Sequence, residues 1–145
     1  MRKIPKIKVD GGKVFINGKR AKLYKTSCRK CYVRDGIIVK LDDMGIFDCR
    51  QVNREIKKWK KITKNDKKYF PKVYAYKKST KTYQGWVAEE KVEFKKGRIS
   101  FDMHDKADHI IRQLARKYKL RDVSGIRHNC DIRSNGIPVI FDWGV

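Results

Sequence analysis

The stretch Ile37-Ile38-Val39-Lys40-Leu41 decides how this chain is read. Four apolar side chains, three of them β-branched, favour a strand, and Asp35-Gly36 just before them is the residue pair of a tight hairpin turn. A lysine inside such a strand is costly to bury unless an anion meets it. Taken alone, Lys40 also suits an edge strand with its ammonium in water. A functional role for Lys40 therefore requires an anionic partner from elsewhere in the chain.

Upstream, the sequence reads as short strands and tight turns. Cys31-Tyr32-Val33 is the other arm of the hairpin at Asp35-Gly36, and Ile4 to Val9 alternates apolar and basic residues. Gly11-Gly12 is a turn signal, and Val14-Phe15-Ile16 is a short β run closed by Asn17-Gly18. Downstream, the period changes. Between Asp48 and Ile62 the apolar positions are Val52, Ile56, Trp59 and Ile62, one stripe of a helix with Asp48 as its N-cap. The remaining faces carry Arg50, Arg54, Lys57, Lys58, Lys60 and Lys61.

Glu55 is the single acid in the body of that helix and stands beside the apolar stripe. Its i+4 neighbour is Trp59, so the best local ion pair is denied to it. Either it points inward or it relieves repulsion in a basic helix. Tyr69–Tyr76 and Gly85–Phe94 read as two more strands, and Lys95-Lys96-Gly97 as a turn. Asp105–Leu120 reads as a second helix, with Ala107, Ile110, Ile111, Leu114 and Tyr118 on one side. A last hairpin joins Cys130-Asp131-Ile132 to Val139-Ile140-Phe141 through Asn135-Gly136. The order predicts an α+β fold with an antiparallel sheet, and no linker divides residues 1–145.

Two further pieces carry chemistry. Arg127-His128-Asn129 precedes the final hairpin, and Asp142-Trp143-Gly144 follows it. An Asp that leaves an apolar strand ahead of an aromatic residue and Gly suits a carboxylate set on a metal ion. Asn129 and Asp142 also suit simple turn caps.

In this order the pieces resemble the protein kinase-like phosphotransferases, from roughly Lys22 to Val145. The ending Ile137–Gly144 resembles small phage-encoded kinase-like proteins in particular. The resemblance implies a minimal kinase-like N-lobe over residues 1–94, a five-stranded antiparallel sheet plus one helix. A remnant of the second lobe would follow over residues 95–145, as one helix and a terminal β-hairpin. It implies that Lys40 holds ATP phosphates, that Glu55 pairs with Lys40, and that Glu90 and Val92 meet adenine from the hinge through their backbone. Asn129 and Asp142 would hold Mg²⁺. The catalytic-loop Asp belongs five residues before Asn129, where Ser124 stands, and Asp122 lies two residues off.

The sequence also departs from the family. Lys25 to Tyr32, KTSCRKCY, contains no glycine where a phosphate loop is expected. Only Val145 follows Asp142-Trp143-Gly144, so the activation segment and helical lobe are missing from this sequence. The expectation is a degenerate kinase-like protein that acts by binding a partner. The alternative is an active ATP- and Mg²⁺-dependent phosphotransferase.

Charge supplies the partner class. Lys and Arg number 38 against 16 Asp and Glu, a net charge of +22. The densest stretches are Arg2–Lys8, Lys19–Lys30, Arg50–Lys68 and Arg112–Arg121. Such a field attracts polyanions. Tyrosines interleaved with the cations suit nucleic acid or an assembly rich in it, such as a ribosome or polymerase. An acidic host protein is the main competitor. No recognised nucleic-acid-binding motif is present. No apolar run is long enough to span a bilayer, and the basic N-terminus lacks an apolar stretch behind it. No membrane partner is expected, and the location expected is cytoplasmic, in a host if the chain is phage-encoded.

Cys28, Cys31, Cys49 and Cys130 then read as reduced thiols. Cys28-x-x-Cys31 has metal-ligand spacing, Cys49 lies 18 residues later and His128 or Cys130 offers a fourth ligand, but no second C-x-x-C exists, so zinc is not expected. His104 and His109 lack the i, i+4 spacing of a helical metal pair and read as surface residues.

Overall fold

The structure, a computed structural model, describes residues 4–26, 30–42, 51–120 and 130–141, with Lys25 and Thr26 described in their backbone only. It divides into two compact units. The first holds Met1–Asn53 and Val73–Lys91, and the second holds Arg54–Lys72 and Val92–Val145.

The first unit contains two sheets. Strands β1 (Ile7–Asp10), β2 (Lys13–Ile16) and β3 (Lys19–Arg20) form a small antiparallel sheet at the N-terminus. Strands β4 (Lys22–Thr26), β5 (Lys30–Arg34), β6 (Ile37–Leu41), β7 (Val73–Lys77) and β8 (Trp86–Glu90) form the main sheet in the order β4-β5-β6-β8-β7, with every neighbouring pair antiparallel. The expected five-stranded antiparallel sheet is present, with β6 at its centre. Asp35 and Gly36 both take positive φ, 51° and 72°, as the tight β5–β6 turn requires.

Alternation along β6 assigns its two faces. Ile37, Val39 and Leu41 point to one side and join Trp86, Ala88, Val14, Ile16 and Ala21 in the buried apolar cluster. The small sheet therefore covers this face of the main sheet. Two hydrogen bonds tie the layers together, from Tyr32 Oη to the Gly12 carbonyl and from Arg34 to the Arg20 carbonyl, each 3.1 Å. Lys40 stands on the opposite face.

Helix α1 (Gln51–Lys61) begins in the first unit and continues in the second. Val52, Ile56 and Ile62 are buried and Trp59 is half-buried, as the stripe predicts. The expected cap Asp48 lies outside the described residues. Asp42, at the end of β6, accepts the Val52 N–H at 2.9 Å and satisfies an orphan donor of the first turn.

In the second unit, a 3₁₀ turn at Lys67–Tyr69 follows α1. It occupies ground that the sequence assigns to a strand from Tyr69. Pro71 cannot donate to a ladder, and β7 begins only at Val73. Helix α2 (Phe101–Lys117) starts four residues before the expected Asp105, because Ser100 caps it by accepting the Met103 N–H. It packs against the terminal hairpin, β9 (Cys130–Ile132) and β10 (Pro138–Ile140). The strand expected over Gly85–Phe94 is shorter, since β8 ends at Glu90. Phe94 belongs to the second unit, where it bridges to Arg133 and its ring lies 5.4 Å from that of Phe141.

Candidate functional site

The β5, β6 and β8 ladders place Cys31 and Val87 opposite Lys40, and Glu89 opposite Ile38. Lys40 and Glu89 are therefore diagonal neighbours on one face of the sheet. Lys40 Nζ lies 3.3 Å from Glu89 Oε1, and the two side chains are 10% and 1% exposed. A buried charge demands a counter-charge, and here one is supplied from the central pair of strands.

Two residues beyond Lys40, Asp42 organises the end of β6. Its Oδ2 accepts from Ser79 Oγ at 2.6 Å, and its Oδ1 accepts the Val52 N–H. Ser79 Oγ also accepts the Gly85 N–H at 2.8 Å, and the Asp42 N–H donates to the Gly85 carbonyl at 3.0 Å. Asn53 reads the Ser79 backbone in both directions, its Oδ1 accepting from the N–H at 2.8 Å and its Nδ2 donating to the carbonyl at 3.0 Å. This network locks the lysine strand, the β7–β8 connection and the start of α1 together within the first unit.

Glu55, the expected partner of Lys40, is buried at 1% exposure and is assigned to the second unit. Glu90 is the last residue of β8 and half-buried. Val92 lies past the end of β8 and is assigned to the second unit. Asp122, Ser124, Asn129 and Asp142 lie outside the described residues, as do Arg50, Cys28 and Cys49. The hairpin between Asn129 and Asp142 is present, with Cys130 opposite Ile140. Cys31 and Cys130 are buried, whereas His104 and His109 are exposed.

On α1, Arg54, Lys57, Lys60 and Lys61 are exposed and Lys58 is half-buried. Lys64 and Lys68 extend the exposed positive charge beyond the helix. Lys67 Nζ stands 4.4 Å from the centre of the Trp59 ring. A groove of about 430 Å³ lies elsewhere in the second unit, between α2 and the hairpin turn. It contains none of the residues singled out from the sequence for chemistry.

Sequence reasoning missed Glu89 and Asp42. Glu89-Glu90 in an apolar strand was the available signal, because alternation sends the two carboxylates of an adjacent pair to opposite faces of the sheet. Asp42 directly follows the lysine strand, and no local pattern marks it as a helix cap.

The fold resembles a solved structure described as a co-crystal of WbdD and the kinase inhibitor LY294002, with a TM-score of 0.60 and 16% sequence identity. The likeness covers 91% of this chain and 34% of that one, so this chain spans about a third of the length of the protein it matches. It supports a kinase-like fold. A family model described as T-box matches residues 36–129, more than half of the chain, and on that match the chain belongs to the T-box family. The two findings point to different groups. The sequence match begins inside the β5–β6 turn and crosses both units, whereas the kinase-like likeness extends over nearly the whole chain. No curated protein matches the sequence. No helix among the described residues is long and apolar enough to cross a membrane.

Proposed function

We propose that this chain is a small kinase-like protein of the phage-encoded type that binds a polyanion through the basic face of α1. Nucleic acid, or a host assembly rich in it, is the partner class. The observation that carries this reading is the separation of charge on one helix: Arg54, Lys57, Lys60 and Lys61 are exposed, while Glu55 is buried. The net charge of +22 and the Lys67–Trp59 contact support it. The place of action is a host cytoplasm. The test is titration with single-stranded RNA across a salt series. Affinity falls steeply with salt, with a log–log slope of about −0.7 per phosphate neutralised. Arg54→Glu with Lys57→Glu, Lys60→Glu and Lys61→Glu weakens binding and flattens that slope. A salt-independent affinity removes nucleic acid, and an acidic protein then becomes the partner class.

A second reading, nucleotide-dependent phosphoryl transfer, is favoured by the buried Lys40 on the central strand. The described residues fit a nucleotide in part. Lys40 would supply the ammonium for its phosphates, and bound Mg·ATP would supply a phosphoryl group for transfer. The expected metal-holding residues, Asn129 and Asp142, lie outside the described residues. A ligand at 100 times its Kd stabilises by about 2.7 kcal/mol. A thermal shift with Mg·ATP that disappears in Lys40→Ala supports this reading, and no shift at millimolar concentration counts against it.

A further inference from the structure

We propose that Glu89 is a built-in competitor for Lys40, setting how tightly this face of the first unit holds phosphate. This rests on the nucleotide reading above and names the residue that controls it. Glu89 Oε1 lies 3.3 Å from Lys40 Nζ, and the Glu89 side chain is 1% exposed. Any phosphate oxygen that hydrogen-bonds to Lys40 Nζ enters the field of that carboxylate. Water screens the repulsion poorly there, because both side chains are withdrawn from solvent. The strand register fixes the arrangement: Lys40 lies opposite Val87 and Glu89 opposite Ile38, so the two side chains share a face as long as β6 and β8 stay paired. Asp42 and its bonds to Val52 and Ser79 hold the end of β6 in that register. An anion therefore meets a lysine whose charge is already partly neutralised.

The experiment measures equilibrium binding of a fluorescent ATP analogue with Mg²⁺, and of inorganic pyrophosphate as its competitor. The proteins are wild type, Glu89→Gln, Lys40→Met and the double variant. Glu89→Gln keeps the side-chain shape and removes the charge. It is expected to tighten nucleotide binding by about tenfold, equivalent to about 1.4 kcal/mol, and the gain is expected to vanish in the double variant. Where Glu89→Gln does not fold, as judged by circular dichroism, Glu89→Asp draws the carboxylate back by one methylene and is expected to give a smaller gain in the same direction. Wild-type binding with no gain, or with a loss, in the Glu89 variant overturns the competitor role and leaves the nucleotide reading standing. A gain that survives Lys40→Met also overturns it. Absence of binding in every variant overturns both, and leaves RNA binding by α1 to be judged by its own titration.

Discussion

Asp42 and Ser79, 37 residues apart in sequence, share a 2.6 Å hydrogen bond that fastens the end of β6 to the loop between β7 and β8. The Asp42 carboxylate also caps α1, so one side chain serves both the sheet and the helix. Ser79→Ala is expected to destabilise the protein by about 1–3 kcal/mol, because a buried acceptor loses its donor. Asp42→Ala is expected to cost more, since the loss of the cap adds about 1 kcal/mol. Urea unfolding of the two variants measures the order.

Gly85 stands against this pair with no space beside it. A Cβ there would collide with Ser79 Oγ, the Ser79 nitrogen and the Lys77 carbonyl. Two of those atoms are backbone and cannot swing aside. Gly85→Ala is therefore expected to destabilise by about 1–3 kcal/mol through overpacking. Combined with Ser79→Ala it is expected to cost less than the sum of the single changes, which a double-mutant cycle reads directly.

In the second unit, Asp66 accepts hydrogen bonds from Lys117 at 2.7 Å and from Tyr118. The Lys117 bond, followed by the Tyr118 hydroxyl, holds the Asp66 carboxyl below its ordinary value. The same bond to Asp66 holds Lys117 above its own. A lowered carboxylate contributes stability that is present above its unfolded value, about 3.9, and is lost as pH falls through the folded value. A raised lysine contributes stability that is present below about 10.4 and is lost as pH rises through its folded value. Asp66→Asn is therefore expected to lower Tm most in the neutral range, with its difference from wild type shrinking toward both extremes. A constant difference at all pH values would show that the ion pair carries none of it.

The basic face of α1 separates binding from stability. Lys61 stands in the last turn, where a cation complements the helix dipole, and Lys57 stands in the middle. Lys61→Glu is expected to cost about 0.3–1 kcal/mol of stability, and Lys57→Glu less. Under the polyanion reading each is expected to weaken RNA binding to a similar degree. Thermal melts and RNA titrations on the same two variants check both halves.

Much of this was legible in local sequence. Asp35-Gly36 and Asn135-Gly136 mark turns that the backbone makes, and the stripe of Val52, Ile56 and Trp59 marks the inward side of α1. Such signals need only near neighbours. The Ser100 cap is equally local, but it stands several residues ahead of the apolar stripe that marks α2 in the sequence. Glu89 beside Lys40 was not legible in the same way. Their proximity depends on β8 inserting between β6 and β7, a pairing that no local pattern announces. The Asp42–Ser79 bond depends on that insertion too.

The central position of β8 also has a consequence for the order of folding. Strands β1 to β6 follow one another in sequence, and each joins its predecessor through a short connection or tight turn. Such contacts close small loops and form early. β8 must return across more than forty residues to reach β6, so its pairing carries the larger closure entropy. Until then the ammonium of Lys40 remains hydrated on the open edge of a nascent sheet. The ion pair with Glu89 is thus expected to form late, and amide exchange in β6 is expected to report the arrival of β8.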